Sequence, residues 1–221
     1  MSFASKLSLR VNEIFYSIQG EGSFSGRKCL FVRLTGCPLR CRWCDTEYAF
    51  YEGRRLTFTE IRHELSLYPC KLVEVTGGEP LIQKNVYPFF EFLHNFNYEI
   101  LLETSGAISV AKVPSYVHIV MDLKPPHSGE SHKNCMDNLQ LLKPSDDLKF
   151  VIAHEEDFYW AESLVAEKNL TKRFRNPPIV QPAHPDFPPE KLADLVKKSP
   201  VDFRLGLQLH KYIYPLASRG V

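Results

Sequence analysis

Lys28-Cys-Leu-Phe-Val-Arg-Leu34-Thr-Gly-Cys37-Pro-Leu-Arg-Cys41-Arg-Trp-Cys44 sets an apolar, β-prone run directly against three cysteines that fall within eight residues. The run reads as a strand and the cysteines as the loop that follows it. Outward from this stretch the chain alternates strand and helix. Thr57 and Glu60 have capping-box spacing and open a helix to about Leu67. Lys71–Thr76 is a short apolar strand closed by Gly77-Gly78-Glu79-Pro80. Val86, Phe89, Phe90, Leu93 and Phe96 recur at helical spacing and are expected to face the core. Glu99–Glu103, Val117–Leu123, Leu148–Ile152 and Ile179–Gln181 read as further strands, with helices near Glu155–Lys168 and Pro189–Lys198 and a last extended piece at Phe203–Leu209. Strands alternating with helices make βαβ units and a parallel sheet. A closed eight-unit barrel takes ~250 residues, and about six units fit here, so the expected fold is an incomplete (βα)6-type partial TIM barrel. Sites in such folds gather at the C-terminal ends of the strands. The polar motifs fall at those places: after Leu34, after Val75, at Glu103, around Lys124 and around Gln181.

The chain of 221 residues and 25.5 kDa suits one domain spanning 1–221. It is 44% hydrophobic and 24% charged, a globular composition. A formal net charge of +1 provides no global basic field toward nucleic acid or a membrane surface. No stretch approaches the roughly 20 apolar residues of a membrane helix. Met1–Arg10 has no uninterrupted apolar run of the secretory kind, so a cytoplasmic protein is expected. Of six cysteines, Cys29, Cys70 and Cys135 are scattered and read as thiols without chemistry. A tight cluster of the other three reads as metal-binding rather than disulfide-forming in a reducing compartment.

The triplet Cys37, Cys41, Cys44 can wrap three thiolates around one iron–sulfur cubane, leaving the fourth iron to an external chelator with amino and carboxylate groups. The same triplet also reads as three of the four ligands of a structural zinc site, with His63 or Cys70 as the fourth. No second cysteine pair follows at the usual zinc spacing, which favours the cluster.

With Thr76-Gly77-Gly78-Glu79-Pro80 behind the second of these strands, the chain resembles the radical S-adenosylmethionine (SAM) superfamily. The segments Asn12-Glu-Ile-Phe-Tyr-Ser-Ile-Gln19-Gly-Glu21-Gly22, Phe31-Val-Arg33-Leu-Thr-Gly36-Cys37, Cys44-Asp45-Thr46 and Glu103-Thr104-Ser105-Gly106 narrow the resemblance to the 7-carboxy-7-deazaguanine synthase family. So do Lys124-Pro125, Leu148-Lys149, Val180-Gln181-Pro182 and Gln208-Leu-His210-Lys211-Tyr212. These blocks run in family order from residue 12 to the C-terminus.

The resemblance implies a 4Fe–4S cluster, SAM and Mg2+, and conversion of 6-carboxy-5,6,7,8-tetrahydropterin to 7-carboxy-7-deazaguanine and ammonia on the way to deazapurines such as queuosine. The reduced cluster would pass an electron to the sulfonium, and the 5′-deoxyadenosyl radical would take hydrogen from the substrate. It assigns Cys37, Cys41 and Cys44 to the cluster, Thr46 to Mg2+, and Thr76, Gly78, Glu79, Ser105 and Lys124 to SAM. Gln19, Glu21, Arg33, Gln181 and His210 are assigned to the substrate, Arg33 by bidentate pairing with its carboxylate. An electron donor such as flavodoxin or ferredoxin and a homodimer are implied as partners. The tail Ile213–Val221 is expected to fold over the substrate. Two other readings stand beside this one. A small activating enzyme that places a glycyl radical on a partner shares the triplet but does not need Gln19-Gly-Glu21-Gly22. A zinc-binding interaction module needs only the cysteines.

Overall fold

The computed structural model describes residues 7–215, 219 and 220. Among the described residues nine strands form one sheet: β1 (Ser8–Ile18), β2 (Lys28–Leu34), β3 (Arg54–Thr57), β4 (Leu72–Gly77), β5 (Glu99–Thr104), β6 (Val117–Asp122), β7 (Asp147–Ile152), β8 (Ile179–Pro182) and β9 (Arg204–Leu205). Their spatial order is β3-β1-β2-β4-β5-β6-β7-β8-β9. β1 pairs antiparallel with β2 and β3, and every pairing from β2 to β9 is parallel. β3 and β9 stand at opposite edges, so the barrel is open, as expected.

The short β3 and two short helices, Asn138–Leu141 and Leu209–Ile213, were not read from the sequence, and other parts of the fold depart from the reading. Lys28–Leu34 is the second strand, because Ser8–Ile18 precedes it. In β1 the buried Leu9, Val11 and Phe15 alternate as a strand should, but a bulge between Val11 and Glu13 interrupts the pairing. The extended piece expected over Phe203–Leu209 is only Arg204–Leu205, and a helix starts at Leu209. Phe96 is not in the core. It lies just past its helix, 38% exposed, under the Arg62 guanidinium.

The helices are α1 (Phe58–Leu65), α2 (Val86–Asn95), α3 (Asn138–Leu141), α4 (Glu155–Glu167), α5 (Pro189–Lys198) and α6 (Leu209–Ile213). α1 starts where the capping box predicts: Thr57 Oγ1 accepts from Glu60 N–H at 3.3 Å, and Glu60 Oε2 accepts from Thr57 N–H at 2.7 Å. α2 puts Val86, Phe89, Phe90 and Leu93, all fully buried, against the sheet. Each such side chain contributes about 1.5–3 kcal/mol through burial.

Side chains alternate across a strand, so the register decides which residues share a face. The outer face carries Val32, Val73, Val75, Leu102, Met121, Phe150 and Val180, an apolar surface for the helices. On the inner face the pairings are Phe31 with Glu74, Arg33 with Thr76, Glu103 with Val120, Asp122 with Lys149 and Val151 with Gln181. Polar and charged residues thus recur at period two inside the barrel.

Candidate active site

The inner face opens into a cavity at the C-terminal ends of the parallel strands, roofed by the loop after β2. Cys37, Cys41 and Cys44 all line it, are partly exposed and form no disulfide. The two glycines after β4 let the backbone press against that loop. A Cβ on Gly77 would lie 2.2 Å from Leu34 O, and Gly77 has φ +146°; a Cβ on Gly78 would lie 2.3 Å from Gly36 O and 2.7 Å from Cys37 Cβ. Glu79 N–H donates to Gly36 O at 2.8 Å, completing the clamp.

The donor set fits a cubane better than a single ion. Thiolates around one tetrahedral zinc lie about 3.8 Å apart, given Zn–S near 2.3 Å. Among the described residues, the His, Cys, Asp and Glu ligand atoms that come within 4.8 Å of one another in threes are those of His127, His154 and Glu156, not the cysteine sulfurs. Cys70 donates instead to Lys28 O and Leu72 O, at the opposite end of the strands. Burial pushes the Cys41 thiol up to about 11, and the nearby Lys124 ammonium opposes that rise.

Below the cysteines lies a buried charge network. Lys149 donates to Glu21 Oε2 and Glu103 Oε1, each at 2.5 Å, with Asp122 Oδ2 at 3.9 Å. Gln181 Nε2 and Gln208 Nε2 donate to the two oxygens of Glu21 at 2.9 Å each. Gln19 positions this group: its amide nitrogen donates to Glu74, and its Oε1 accepts from Glu21 N–H at 3.1 Å. Burial works to raise Glu21, but the Lys149 charge and the hydrogen bonds overcome it and bring the carboxyl down to about 2. Burial and the Glu21 charge push Glu74 up to about 7. Burial also raises Glu103, to about 8, against the pull of Lys149 and with the repulsion of Glu21 and Glu74. Four carboxylates share this space with Lys149 and Lys124, so full ionisation would leave uncompensated buried charge. Among the described residues, Gln181 Oε1 and Asp122 Oδ1 are buried without a hydrogen-bond partner, and both residues line the cavity.

Thirteen of the fourteen expected site residues line this one cavity: all but Glu79. Glu79 is fully buried, and its carboxylate is saturated by Leu81 N–H at 3.0 Å, Thr104 Oγ1 at 2.9 and 3.0 Å, Ser105 N–H at 2.8 Å and Ser105 Oγ at 2.5 Å. It cannot also receive an external ammonium in this arrangement; it fixes Ser105 instead. Lys124 Nζ donates to Asp122 Oδ2 at 2.8 Å, leaving two of its N–H groups for another acceptor. Arg33 Nε donates to Glu13 Oε1 at 2.7 Å, which also accepts from Tyr48 Oη at 2.9 Å. Thr46 Oγ1 lies 3.8 Å from Cys44 Sγ. His210 sits on Gly20, where Leu209 N–H donates to Gly20 O at 3.2 Å, and burial lowers its pKa. Leu216, Ala217, Ser218 and Val221, part of the expected tail cover, lie outside the described residues. Arg219 is paired with Glu52 at 2.8 and 3.2 Å, above the Tyr48 ring.

Sequence reasoning missed Glu74, Asp122, Lys149, Gln208 and Lys211 as cavity residues, while it places Glu103 at the site end of its strand. For the first three a signal was present: charged residues inside otherwise apolar parallel strands.

Residues 31–123 match the sequence pattern of the Radical SAM superfamily. A 7-carboxy-7-deazaguanine synthase from Koribacter versatilis is 40% identical over 96% of this chain and 100% of its own length. Another, from Chlorobaculum tepidum, is 41% identical over 96% of this chain and 97% of its own. The chain belongs to the 7-carboxy-7-deazaguanine synthase family. It is a radical SAM enzyme, and membership implies a 4Fe–4S cluster and SAM. The fold is similar to that in a crystal structure of QueE from Escherichia coli, with TM-score 0.77 and 22% identity over 93% of this chain and 96% of that one. No helix among the described residues is long and apolar enough to cross a membrane.

Proposed function

We propose that the chain converts 6-carboxy-5,6,7,8-tetrahydropterin to 7-carboxy-7-deazaguanine with release of ammonia, by radical-mediated ring contraction. The observation that carries this reading is the joining, in one cavity, of the three-cysteine loop with a buried acid–amide group, Glu21, Gln181 and Gln208, built for the donor-rich edge of a heterocycle.

Cys37, Cys41 and Cys44 would hold the cluster. When bound and reduced, the cluster with SAM supplies the radical that starts the rearrangement. The chain's own residues bind, orient and move protons. Thr76, Ser105 and the Gly78 backbone would receive the methionine ammonium, and the two remaining N–H groups of Lys124 its carboxylate. Glu79 would act on SAM only through Ser105, by holding its hydroxyl and N–H. Glu21, ionised through the physiological range, accepts from the amino–imino edge of the pterin. Gln181 Oε1 and Asp122 Oδ1, without partners among the described residues, gain donors when the heterocycle enters. Arg33 keeps its terminal nitrogens for the substrate carboxylate while Glu13 holds Nε.

Glu103, whose Oε1 faces Lys149 and whose carboxyl is pushed up by burial, is placed to exchange a proton with the departing amine through its other oxygen. The Thr46 hydroxyl would contact Mg2+, with substrate oxygens and water completing the shell. His210 and Gln208, brought in by α6, cover the cavity and exclude water. The enzyme would act as a cytoplasmic homodimer, as a single domain per chain, with flavodoxin or ferredoxin as electron donor.

The test is anaerobic reconstitution with iron and sulfide, followed by reductant, SAM, Mg2+ and the carboxytetrahydropterin, read by mass spectrometry. Product from the native chain and none from Cys41→Ala supports the reading. No product from a demonstrably loaded cluster rejects the substrate.

A further inference from the structure

Outside the cavity, His127, His154 and Glu156 bring one ligand atom each to within 4.8 Å of one another. His127 lies in the single turn Pro126–Ser128 after β6, and His154 and Glu156 lie at the start of α4. The two imidazole rings stack with centroids 4.2 Å apart and planes at 22°. Each imidazole offers a ring nitrogen as a donor to a metal.

The group is braced from behind. Asp157 is fully buried, and its Oδ1 accepts from His127 N–H and faces His127 Nδ1, both at 3.0 Å. Its Oδ2 accepts from the N–H groups of Ala153 and His154, each at 3.2 Å. A carboxylate on Nδ1 keeps the proton there and leaves the Nε2 lone pair of His127 free, which is how ligating histidines are oriented in metal sites. We propose that His127, His154 and Glu156 form a binding site for a borderline divalent transition ion of the zinc class. Two imidazoles and a carboxylate suit that class, with a further position left to water, whereas Mg2+ and Ca2+ favour all-oxygen shells. The positive N-terminal end of α4 opposes a cation, and Glu155, Glu156 and Asp157 in its first turn offset it.

The site has a consequence for the cysteine loop. Ser128 O, one residue past His127, accepts from Arg42 N–H at 3.2 Å, and Glu130 Oε1 accepts from Arg40 N–H at 2.9 Å. Arg40 and Arg42 stand between the cluster cysteines. An ion tying this turn to α4 therefore braces the cluster loop from outside.

The test uses the full chain with its cluster reconstituted. After chelator treatment it is equilibrated anaerobically with Zn2+ or Mg2+ and desalted, and bound metal is measured by mass spectrometry. One zinc per chain at unchanged iron is expected, with no retained Mg2+. His154→Ala and Glu156→Gln, both at exposed positions, should weaken zinc by roughly 10- to 100-fold at unchanged iron content. Zinc should also slow iron loss to a chelator in the native chain and not in His154→Ala. Zinc that displaces iron, zinc held equally by both variants, or no zinc at all overturns the site. Iron loss indifferent to bound zinc overturns the brace.

Discussion

Replacing Glu74 by Gln should stabilise the protein in alkaline buffer and leave it nearly unchanged in acid. Glu74 sits on β4, 5% exposed, with Gln19 donating to it and Glu21 nearby. Burial and the Glu21 charge raise its carboxyl from the ordinary 4.5 to about 7. Between those two values the folded chain binds a proton that the unfolded chain has lost, so stability falls as pH rises. The contribution is whole below pH 4.5 and gone above pH 7. At 1.36 kcal/mol per pH unit, the span from 4.5 to about 7 amounts to about 3 kcal/mol. Gln has the same shape, keeps an acceptor for Gln19 and never ionises. The gain from Glu74→Gln should therefore grow from near zero at pH 4.5 to about 3 kcal/mol at pH 8. Urea unfolding of the cluster-free native and variant chains at both pH values measures it. A gain equal at the two pH values, or none at pH 8, would refute the argument that a buried ionisable carboxyl is the cost. The fold carries this group at the cavity wall, where stability is commonly given up to function.

Lys149→Met should act in the opposite sense. The fall of Glu21 from 4.5 to about 2 corresponds to about 3 kcal/mol, present above pH 4.5 and lost as pH drops from 4.5 through 2. Removing its ammonium partner should lower unfolding free energy by about that much at pH 7, with iron content unchanged because no cysteine is touched; an unaltered midpoint would contradict the role of Lys149. Gly78→Ala should lower iron retention on reconstitution, since the new methyl meets Gly36 O at 2.3 Å and Cys37 Cβ at 2.7 Å. Full iron loading of that variant would show that the loop does not depend on this contact.

What the chain's own sequence determined is local. Three cysteines in a short loop, paired glycines after a strand and the Thr57–Glu60 cap each act over a few residues, so spacing alone exposes them. The apolar period of α2 is local too, and four of the five residues expected to face the core are buried. The strands of the open barrel follow from the same short-range alternation. β1 escaped because a bulge breaks its period, and β9 was overestimated because only two of its residues reach the sheet. Glu79 shows where composition ceases to be enough: its motif places it beside the ligand, but its oxygens are taken by Leu81, Thr104 and Ser105.

The tertiary structure alone decided the electrostatics of the cavity. Lys149 meets Glu21 across 128 positions and Glu103 across 46, through the register of parallel strands that share one inner face. Whether a carboxyl stays ionised near 2 or keeps its proton to 7 or 8 depends on burial and on which charges stand within a few ångströms. Those are properties of arrangement in space. Residue order names the groups, and the shared inner face of the sheet that gathers them sets their charge.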